Sequence, residues 1–213
     1  MTTMDVKLAE MLCTRLCHDL TGPIGAVNNG VEFLQEEEDS EENEAISLIV
    51  SSAREAVHRL QFYRQAYGRI NDEGTMSLDT YHTLVTDFFS GSKIKCQWPK
   101  AEEENGRLSV SQATGRLLLN LLIVAMGGML KGGTITLNIE KKAEGRLIIL
   151  RAQGEMLKYD PDFLRLMNGE VEANPKDPKI VHYLFVKTLA DACDAKLHTE
   201  YQEGEGLRLQ IMA

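Results

Sequence analysis

A histidine followed by an aspartate lies inside a long apolar-periodic segment near the start of the chain. His18 and Asp19 occupy its middle, and Pro23 follows shortly after. Apolar residues recur in this segment at spacings of three and four: Leu8, Leu12, Leu16, Leu20, Ile24, Val27, Val31 and Leu34. The spacing predicts one helix over residues 4 to 35 with a continuous apolar face. Because an imidazole is a nucleophile that can form covalent intermediates, the direction in which His18 points decides what chemistry is open to it.

His18 is predicted to point away from the apolar face. It lies two positions from both Leu16 and Leu20, and two positions turn a helix by about 200°. Its neighbours on the outward face are mostly small or polar: Thr14, Arg15, Thr21, Gly22 and Gly25. These residues leave room for another protein's backbone, so we predict a partner-docking face around His18. Arg15 either steers an acidic partner pocket or is simply solvated.

Pro23 stands in the middle of the predicted helix. It has no N–H to donate to the Asp19 carbonyl, and a proline inside a helix costs about 3 kcal/mol unless something compensates. We therefore expect a kink just past His18, with a structural reason for it.

These residues carry a resemblance to a known family. His18-Asp19-Leu20-x-x-Pro23 resembles the H-box of the dimerisation and phosphotransfer domain of histidine kinases. The longer run from Arg15 to Gly30 resembles the ChpT-type histidine phosphotransferases of alphaproteobacterial phosphorelays. The resemblance implies that His18 is phosphorylated and that Asp19 orients or deprotonates its ring. It also implies a hybrid kinase's receiver domain as donor, CtrA- or CpdR-like response regulators as acceptors, and magnesium held by the receivers.

Gly22 adds an expectation about hydrolysis. In bifunctional kinases, a Thr or Asn four residues after the phosphorylated histidine positions water for dephosphorylation of the partner. Glycine has no side chain for that task, so the resemblance implies little phosphatase activity.

The composition narrows the range of partners and compartments. The chain has 32 Asp and Glu against 23 Lys and Arg, a formal net charge of -9, which argues against nucleic acid and anionic membranes as partners. No run approaches the roughly 20 apolar residues of a membrane span, and no signal peptide is evident. We therefore expect a cytoplasmic protein. The four cysteines form no C-x-x-C pair, and we expect neither a disulfide nor a bound metal.

A second helix is predicted over residues 41 to 70, after an acidic turn. Its apolar stripe is Ile46, Val50, Ala53, Val57, Leu60 and Tyr67. The two helices form an antiparallel hairpin, predicted as the dimerisation and phosphotransfer unit of residues 1–73. A hairpin cannot bury a stripe about 40 Å long by itself, so we expect a homodimer that forms a four-helix bundle. The alternative is that the stripe packs on the C-terminal half.

The pattern becomes mixed α/β in residues 74–213. Helices are predicted at 77–89, 109–130, 160–167 and 179–193, and strands at 93–98, 134–140, 146–152, 196–202 and 207–212. Helices on one face of a mainly antiparallel sheet make this an α+β protein. The element order resembles the Bergerat ATP-binding fold of histidine kinases. His58 is predicted to lie on the surface of the second helix, and His82, His182 and His198 to be packed or solvated.

The nucleotide motifs of that fold are degenerate here. The N-box reads Asn120-Leu121-Leu122-Ile123-Val124-Ala125, with valine where kinases have the magnesium-binding asparagine. The G1 candidate, Ala152-Gln153-Gly154-Glu155-Met156, lacks the aspartate and one glycine, and the G2 candidate, Ile180-Val181-His182, lacks both glycines. We therefore predict no ATP and no autokinase activity.

Three functional hypotheses remain. The first is a phosphotransferase between receiver aspartates, in which the C-terminal half holds the far side of the receiver. The second is a phosphate-independent scaffold or inhibitor that docks receivers through the same bundle. The third is an active kinase with a divergent nucleotide site.

Overall fold

The chain begins with a hairpin of two long helices. The structure, a computed structural model, describes residues 3–36, 42–68, 74–98, 109–142, 145–171 and 181–212. Helices α1 (Thr3–Glu36) and α2 (Glu42–Tyr67) run antiparallel, since Gly30 lies beside Ala45 and Ile49 while Asp19 meets Arg59 and Tyr63. The predicted hairpin is confirmed, while most of the predicted acidic turn lies outside the described residues.

Gly30 is where the two helices approach most tightly. A Cβ atom built on it would lie 2.6 Å from Cγ1 of Ile49 and 3.3 Å from the carbonyl oxygen of Ala45. The first distance is shorter than real contacts of a Cβ atom and the second is tight, so the absence of a side chain at position 30 allows α1 to pack this closely on α2.

The helix α1 continues through Pro23. The carbonyl oxygen of Asp19, which the proline cannot satisfy, accepts a hydrogen bond of 2.9 Å from Nη1 of Arg59 on α2. Arg59 is itself oriented by Glu55, whose Oε1 lies 3.0 Å from Nε. The hydrogen bond lost at Pro23 is therefore replaced within the hairpin, because α2 donates to the carbonyl oxygen that would otherwise be unpaired.

The rest of the chain alternates short helices with strands. Its elements are β1 (Thr75–Ser77), α3 (Leu78–Phe88), β2 (Ile94–Gln97), β3 (Ser109–Ser111), α4 (Gln112–Gly127), β4 (Gly133–Lys142), β5 (Gly145–Gln153), α5 (Pro161–Met167), α6 (Val181–Ala192), β6 (Lys196–Gln202) and β7 (Gly206–Met212). The predicted loop around residues 102–106 lies outside the described residues. The predicted α+β class is confirmed.

A five-stranded sheet forms one layer of this half, in the order β2-β4-β5-β7-β6. The β2–β4 pair is parallel and the other pairs are antiparallel. Leu137 faces Leu150, which in turn faces Leu209, and all three are buried. The alternating apolar residues of the strands therefore line one face, and the helices cover it.

Helix α4 lies in the core and begins later than predicted. Ser111 caps it, since its hydroxyl accepts from the backbone N–H of Thr114 at 3.0 Å. The three residues before Gln112 pair with β1 as the short strand β3 instead. Every residue of α4 from Leu117 to Ala125 is buried, which explains why this part of its sequence is almost continuously apolar rather than amphipathic.

Two side chains of α4 donate hydrogen bonds to the end of α2 and so hold the hairpin against the rest of the chain. Nε and Nη2 of Arg116 donate to the carbonyl oxygens of Ala66 and Tyr67, each at 3.2 Å. Nδ2 of Asn120 donates to the Ala66 carbonyl at 2.9 Å. These carbonyls belong to the last turn of α2 and have no partners within the helix, so α4 satisfies the C-terminal end of the hairpin. Within the described residues, no helix has the length and hydropathy needed to cross a bilayer.

Candidate functional site

His18 lies on the outer side of α1 with its ring in solvent. Its side chain is 85% exposed, and Nδ1 lies 2.9 Å from Oδ1 of Asp19. An ionised carboxylate only accepts hydrogen bonds, so Nδ1 carries the proton of the neutral ring and Nε2 holds the free lone pair. The outward direction predicted from the helical spacing is the one observed.

Asp19 is half-buried beside the histidine, with its side chain 18% exposed. Its Oδ2 accepts a short hydrogen bond from the hydroxyl of Tyr63 and lies 3.8 Å from Nε of Arg15. Burial alone would raise the pKa of this carboxyl. The hydrogen bonds from Tyr63 and His18 and the charges of Arg15 and Arg59 outweigh burial and hold the pKa below its ordinary value. Asp19 is therefore ionised at neutral pH and accepts from His18.

Four of the five predicted docking residues surround His18 on the exposed side of α1. Thr14, Thr21, Gly22 and Gly25 are all exposed, and the Thr21 hydroxyl folds back onto the Cys17 carbonyl at 2.6 Å. A Cβ atom built on Gly22 or Gly25 would meet nothing within 4 Å. The glycines thus leave an open surface next to the histidine.

Arg15 differs from the other four docking residues. Its side chain is only 28% exposed and points towards Asp19 and the tyrosines of α2. It also lies close enough to His182 of α6 for its charge to act on that ring. Simple solvation, one of the two roles considered from sequence, does not describe this position between the hairpin and the second half of the chain, while the steering of a partner stays a prediction.

A groove of about 630 Å³ runs beside His18, between α1 and the first residue of α6. Its walls are mainly apolar, and its lining includes Met11 and Val181 together with the charged residues Lys7 and Glu10. Sequence reasoning did not connect Val181 with the histidine, because the two residues are far apart in the chain and meet only through the packing of α6 on α1.

The other histidines have different environments. His58, predicted to lie on the surface, is half-buried, and its Nδ1 lies 3.1 Å from the Asp87 carbonyl at the junction of α2 and α3. This difference arises because α3 packs across that face of α2. His182 is buried, and burial, followed by the charge of Arg15, lowers its pKa to about 4. His198 is exposed on β6, with Nε2 3.1 Å from Oε1 of Glu200.

Among the described residues, those of the degenerate nucleotide motifs lie around a cavity between α4 and α6. A cavity of about 560 Å³ is lined there by Val124 of α4, by Tyr159 and Asp160, and by His182 and Tyr183 of α6. Val124 supplies only methyl groups, while Asn120 faces α2 instead of the cavity. In the G1 candidate, a Cβ on Gly154 would lie 2.5 Å from the Gly132 carbonyl, so this glycine serves close packing of the chain. Ile180 of the G2 candidate lies outside the described residues.

Sequence reasoning missed Arg59 and Tyr63. They lie four positions apart on one face of α2, and both contact Asp19, through its carbonyl and its carboxylate respectively. Helical spacing could show that the two share a face. It could not show that this face meets residue 19, since that depends on how α1 and α2 pack.

Comparison with known proteins identifies the family of this chain. A family model described as "Histidine phosphotransferase C-terminal domain" matches residues 78–205. The protein phosphotransferase ChpT of Brucella abortus (strain 2308) is 33% identical over 198 residues, covering 92% of this chain and 91% of the relative. The chain therefore belongs to the histidine phosphotransferase family, of the ChpT type that the residues around His18 resemble.

Solved structures share the fold. A bacterial phosphotransferase superposes with a TM-score of 0.77 at 30% identity, over 99% of this chain and 97% of that one. Full-length ShkA in complex with AMPPNP superposes with a TM-score of 0.50 at 16% identity, over 96% of this chain and 45% of that one. At that identity the second likeness concerns the fold alone.

Proposed function

We propose that this chain passes a phosphoryl group between the aspartates of two receiver domains by way of His18. Family membership supports phosphotransfer in a phosphorelay. The observation that carries the finer proposal is the geometry of His18, whose ring is 85% exposed and whose Nδ1 is held by Asp19. That arrangement presents Nε2, the nitrogen with the lone pair, to a visiting protein.

The transfer has two halves. In the first, Nε2 attacks the phosphorus of an aspartyl phosphate on the donor, a P–N bond forms, and the P–O bond to the aspartate breaks to leave a carboxylate. In the second, the carboxylate of the acceptor attacks the same phosphorus, and the P–N bond breaks to return the lone pair to Nε2. Nδ1 keeps its proton throughout. The magnesium that neutralises the transferred group is expected on the receivers.

Residues 1–73 are proposed to carry this chemistry, and residues 74–213 to hold the receiver's far side. The groove beside His18 supports this division, since α1 and Val181 of α6 both line it. Gly22 supports transfer over hydrolysis, because position 22 has no side chain to hold a water molecule against the phosphoryl group. We expect the donor to be the receiver of a hybrid kinase and the acceptor a response regulator.

A homodimer is proposed on the basis of the hairpin's outer face. Apolar side chains of α1 and α2 remain exposed in the single chain, among them Ile24 at 57% and Leu60 at 54%. The rival hypothesis was that this stripe packs on the C-terminal half, but in the single chain these side chains are exposed to solvent. Pairing with a second hairpin would bury them in a four-helix bundle.

We also propose that the chain has no autokinase activity. Val124 offers magnesium no oxygen, and Asn120 is committed to the Ala66 carbonyl. Titration calorimetry with magnesium and ATP tests this, and saturable heat of binding that is lost on filling the cavity with Val124→Phe would contradict it.

The relay itself is tested by mixing the chain with a phosphorylated receiver and following acid-labile phosphate. We expect phosphate on His18 of the wild type and none on His18→Ala. His198→Gln is the matched control, since His198 is also an exposed histidine next to a carboxylate, and it should transfer like the wild type. If His18→Ala still binds receivers and the wild type is never phosphorylated, the phosphate-independent scaffold is the better hypothesis.

A further inference from the structure

The carboxylate of Asp19 is shared between two partners on opposite sides. Oδ1 accepts from Nδ1 of His18 at 2.9 Å, and Oδ2 accepts from the hydroxyl of Tyr63, which lies 44 positions along the chain on α2. His18 is almost fully solvated, and neighbouring positions on a helix point in different directions. A bond between an exposed imidazole and a freely rotating aspartate would compete with water. The second anchor on Oδ2 removes that freedom.

Tyr63 is well built to be an anchor. It is 1% exposed, and its ring is fixed by the edges of Phe62 and Phe88, each with centroids 5.7 Å away, and by a stacked Tyr67 at 5.4 Å. Its hydroxyl position is therefore set by core packing before any partner arrives. Burial, followed by the hydrogen bond to Asp19, raises the pKa of Tyr63 to about 12, so the phenol remains a donor over the physiological range.

The backbone of Asp19 is held from the same helix. Nη1 of Arg59 binds the carbonyl oxygen that Pro23 leaves free, and Arg59 lies one turn before Tyr63. The α2 helix thus donates hydrogen bonds to both the main chain and the side chain of Asp19, the residue that binds His18. Any rotation of α1 about its axis would break both contacts together.

We propose that Tyr63 is a positioning residue for phosphotransfer: through Asp19 it holds the imidazole of His18 with the proton on Nδ1 and presents Nε2 to the donor. This inference rests on the proposed function, because only a nucleophilic His18 needs one tautomer and one orientation. The tyrosine acts through Asp19 and does not touch the phosphoryl group.

The first test reads the tautomer without any partner. In protein with ¹⁵N-labelled histidine at about pH 8.5, well above the reference pKa of imidazole, His18 of the wild type should show ¹⁵N shifts of the Nδ1–H form. Tyr63→Phe should move them towards the Nε2–H form or a mixture, as should Asp19→Asn, which no longer offers a charged acceptor. Tyr67→Phe is the matched control. Tyr67 lies one turn further along α2, and its buried hydroxyl has no hydrogen-bond partner among the described residues.

The second test reads the rate of phosphate transfer from a phosphorylated receiver to His18. We expect Tyr63→Phe to lower it by roughly tenfold, the lower end of the effect of losing an outer hydrogen bond that orients a functional histidine. Tyr67→Phe should leave the rate unchanged. Circular dichroism should show the same helix content in all three proteins.

The outcomes separate this inference from the proposed function. A Tyr63→Phe variant with the wild-type tautomer overturns the inference, whether its rate is normal or reduced. A changed tautomer with a normal rate also overturns it. If no variant and no wild type is phosphorylated, the proposed function fails, while the tautomer measurement still decides whether Tyr63 holds His18 through Asp19.

Discussion

At the scale of single residues, the geometry of Asp19 favours orienting the ring of His18 over taking a proton from the attacking nitrogen. Asp19 binds Nδ1, while in the proposed transfer the attacking nitrogen is Nε2, which lies on the other side of the ring. The lowered pKa of Asp19 has the same consequence, since a carboxylate that stays ionised is a weak proton acceptor. Of the two roles that sequence reasoning left open, geometry therefore favours the orienting role, which stays a prediction.

Gly22 provides a test of the open surface beside His18. Glycine is the least favourable residue of a helix interior apart from proline, and a Cβ atom built on Gly22 meets nothing within 4 Å outside its own stretch of helix. We expect Gly22→Leu to change the free energy of unfolding in urea by less than about 1 kcal/mol, because the gain in helix propensity is offset by the contact between the new Cβ atom and Cδ of Pro23, which follows it in the chain. We also expect it to slow phosphate transfer, because the new side chain would occupy the space in which the receiver is proposed to dock.

Gly30→Ala is the control for this prediction, and it should behave in the opposite way. Its Cβ would lie 2.6 Å from Ile49, so the hairpin should lose roughly 1–3 kcal/mol of stability. The folded fraction should still accept phosphate at the normal rate. If Gly22→Leu transfers as fast as the wild type, the surface around His18 is not where the receiver docks.

At the scale of elements, α4, the helix that carries the N-box sequence, holds the hairpin in place through hydrogen bonds to α2. Arg116 and Asn120 of α4 satisfy the last carbonyls of α2, and the Arg116 guanidinium lies 5.4 Å from the centre of the Phe185 ring of α6. These contacts join α2, α4 and α6 at one point. The hairpin is therefore held against the sheet layer by side chains as well as by the chain connection.

Replacing Asn120 tests this role. Asn120→Leu keeps a similar volume but removes both donors, so we expect a loss of about 1–3 kcal/mol in the free energy of unfolding measured by urea titration without nucleotide. Asn28→Leu, at an exposed asparagine whose amide binds Glu32 of its own helix, should change it by less than about 0.5 kcal/mol. Unchanged stability of Asn120→Leu would mean that the N-box asparagine has no structural role.

At the scale of the whole molecule, the exposed apolar face of the hairpin calls for a partner. The exposed side chains of α2 recur at the three- and four-residue spacing that places them on one stripe: Ile46, Val50, Val57 and Leu60. A different face of the same helix carries Ala45, Phe62 and Tyr63, which are already buried in the single chain. One face of α2 thus packs within the chain, and the exposed face is the one proposed to meet a second chain.

A charge on the exposed face should separate the proposed dimer. We expect the wild type to show twice the mass of one chain in light scattering after size exclusion, and Leu60→Glu to shift to the mass of one chain. The control is Leu130→Glu, since Leu130 is exposed to 57% but lies after α4, away from the hairpin. A wild type with the mass of one chain, or a Leu60→Glu variant that keeps the double mass, would contradict the four-helix bundle.

Much of the fold follows from patterns within short windows of sequence. The period of three to four predicted α1 and α2, and alternation predicted β4, β5 and the β6–β7 hairpin to within a few residues. The three-residue strands β1 and β3 were not predicted, because a run that short has no measurable period. The start of α4 was placed too early for the same reason, since its first residues belong to β3.

By itself, the sequence determined that His18 faces outward, because the angle between positions 16, 18 and 20 of a helix is a property of the helix. It also determined that the side chain of Val124 cannot bind magnesium, because that side chain contains no oxygen in any fold. Only the tertiary structure decided which residues hold Asp19. Tyr63 and Arg59 reach it from 44 and 40 positions away, and they do so because of the one rotation at which α2 packs against α1 at Gly30. That rotation arises from close packing over the whole hairpin, which no local window of sequence contains.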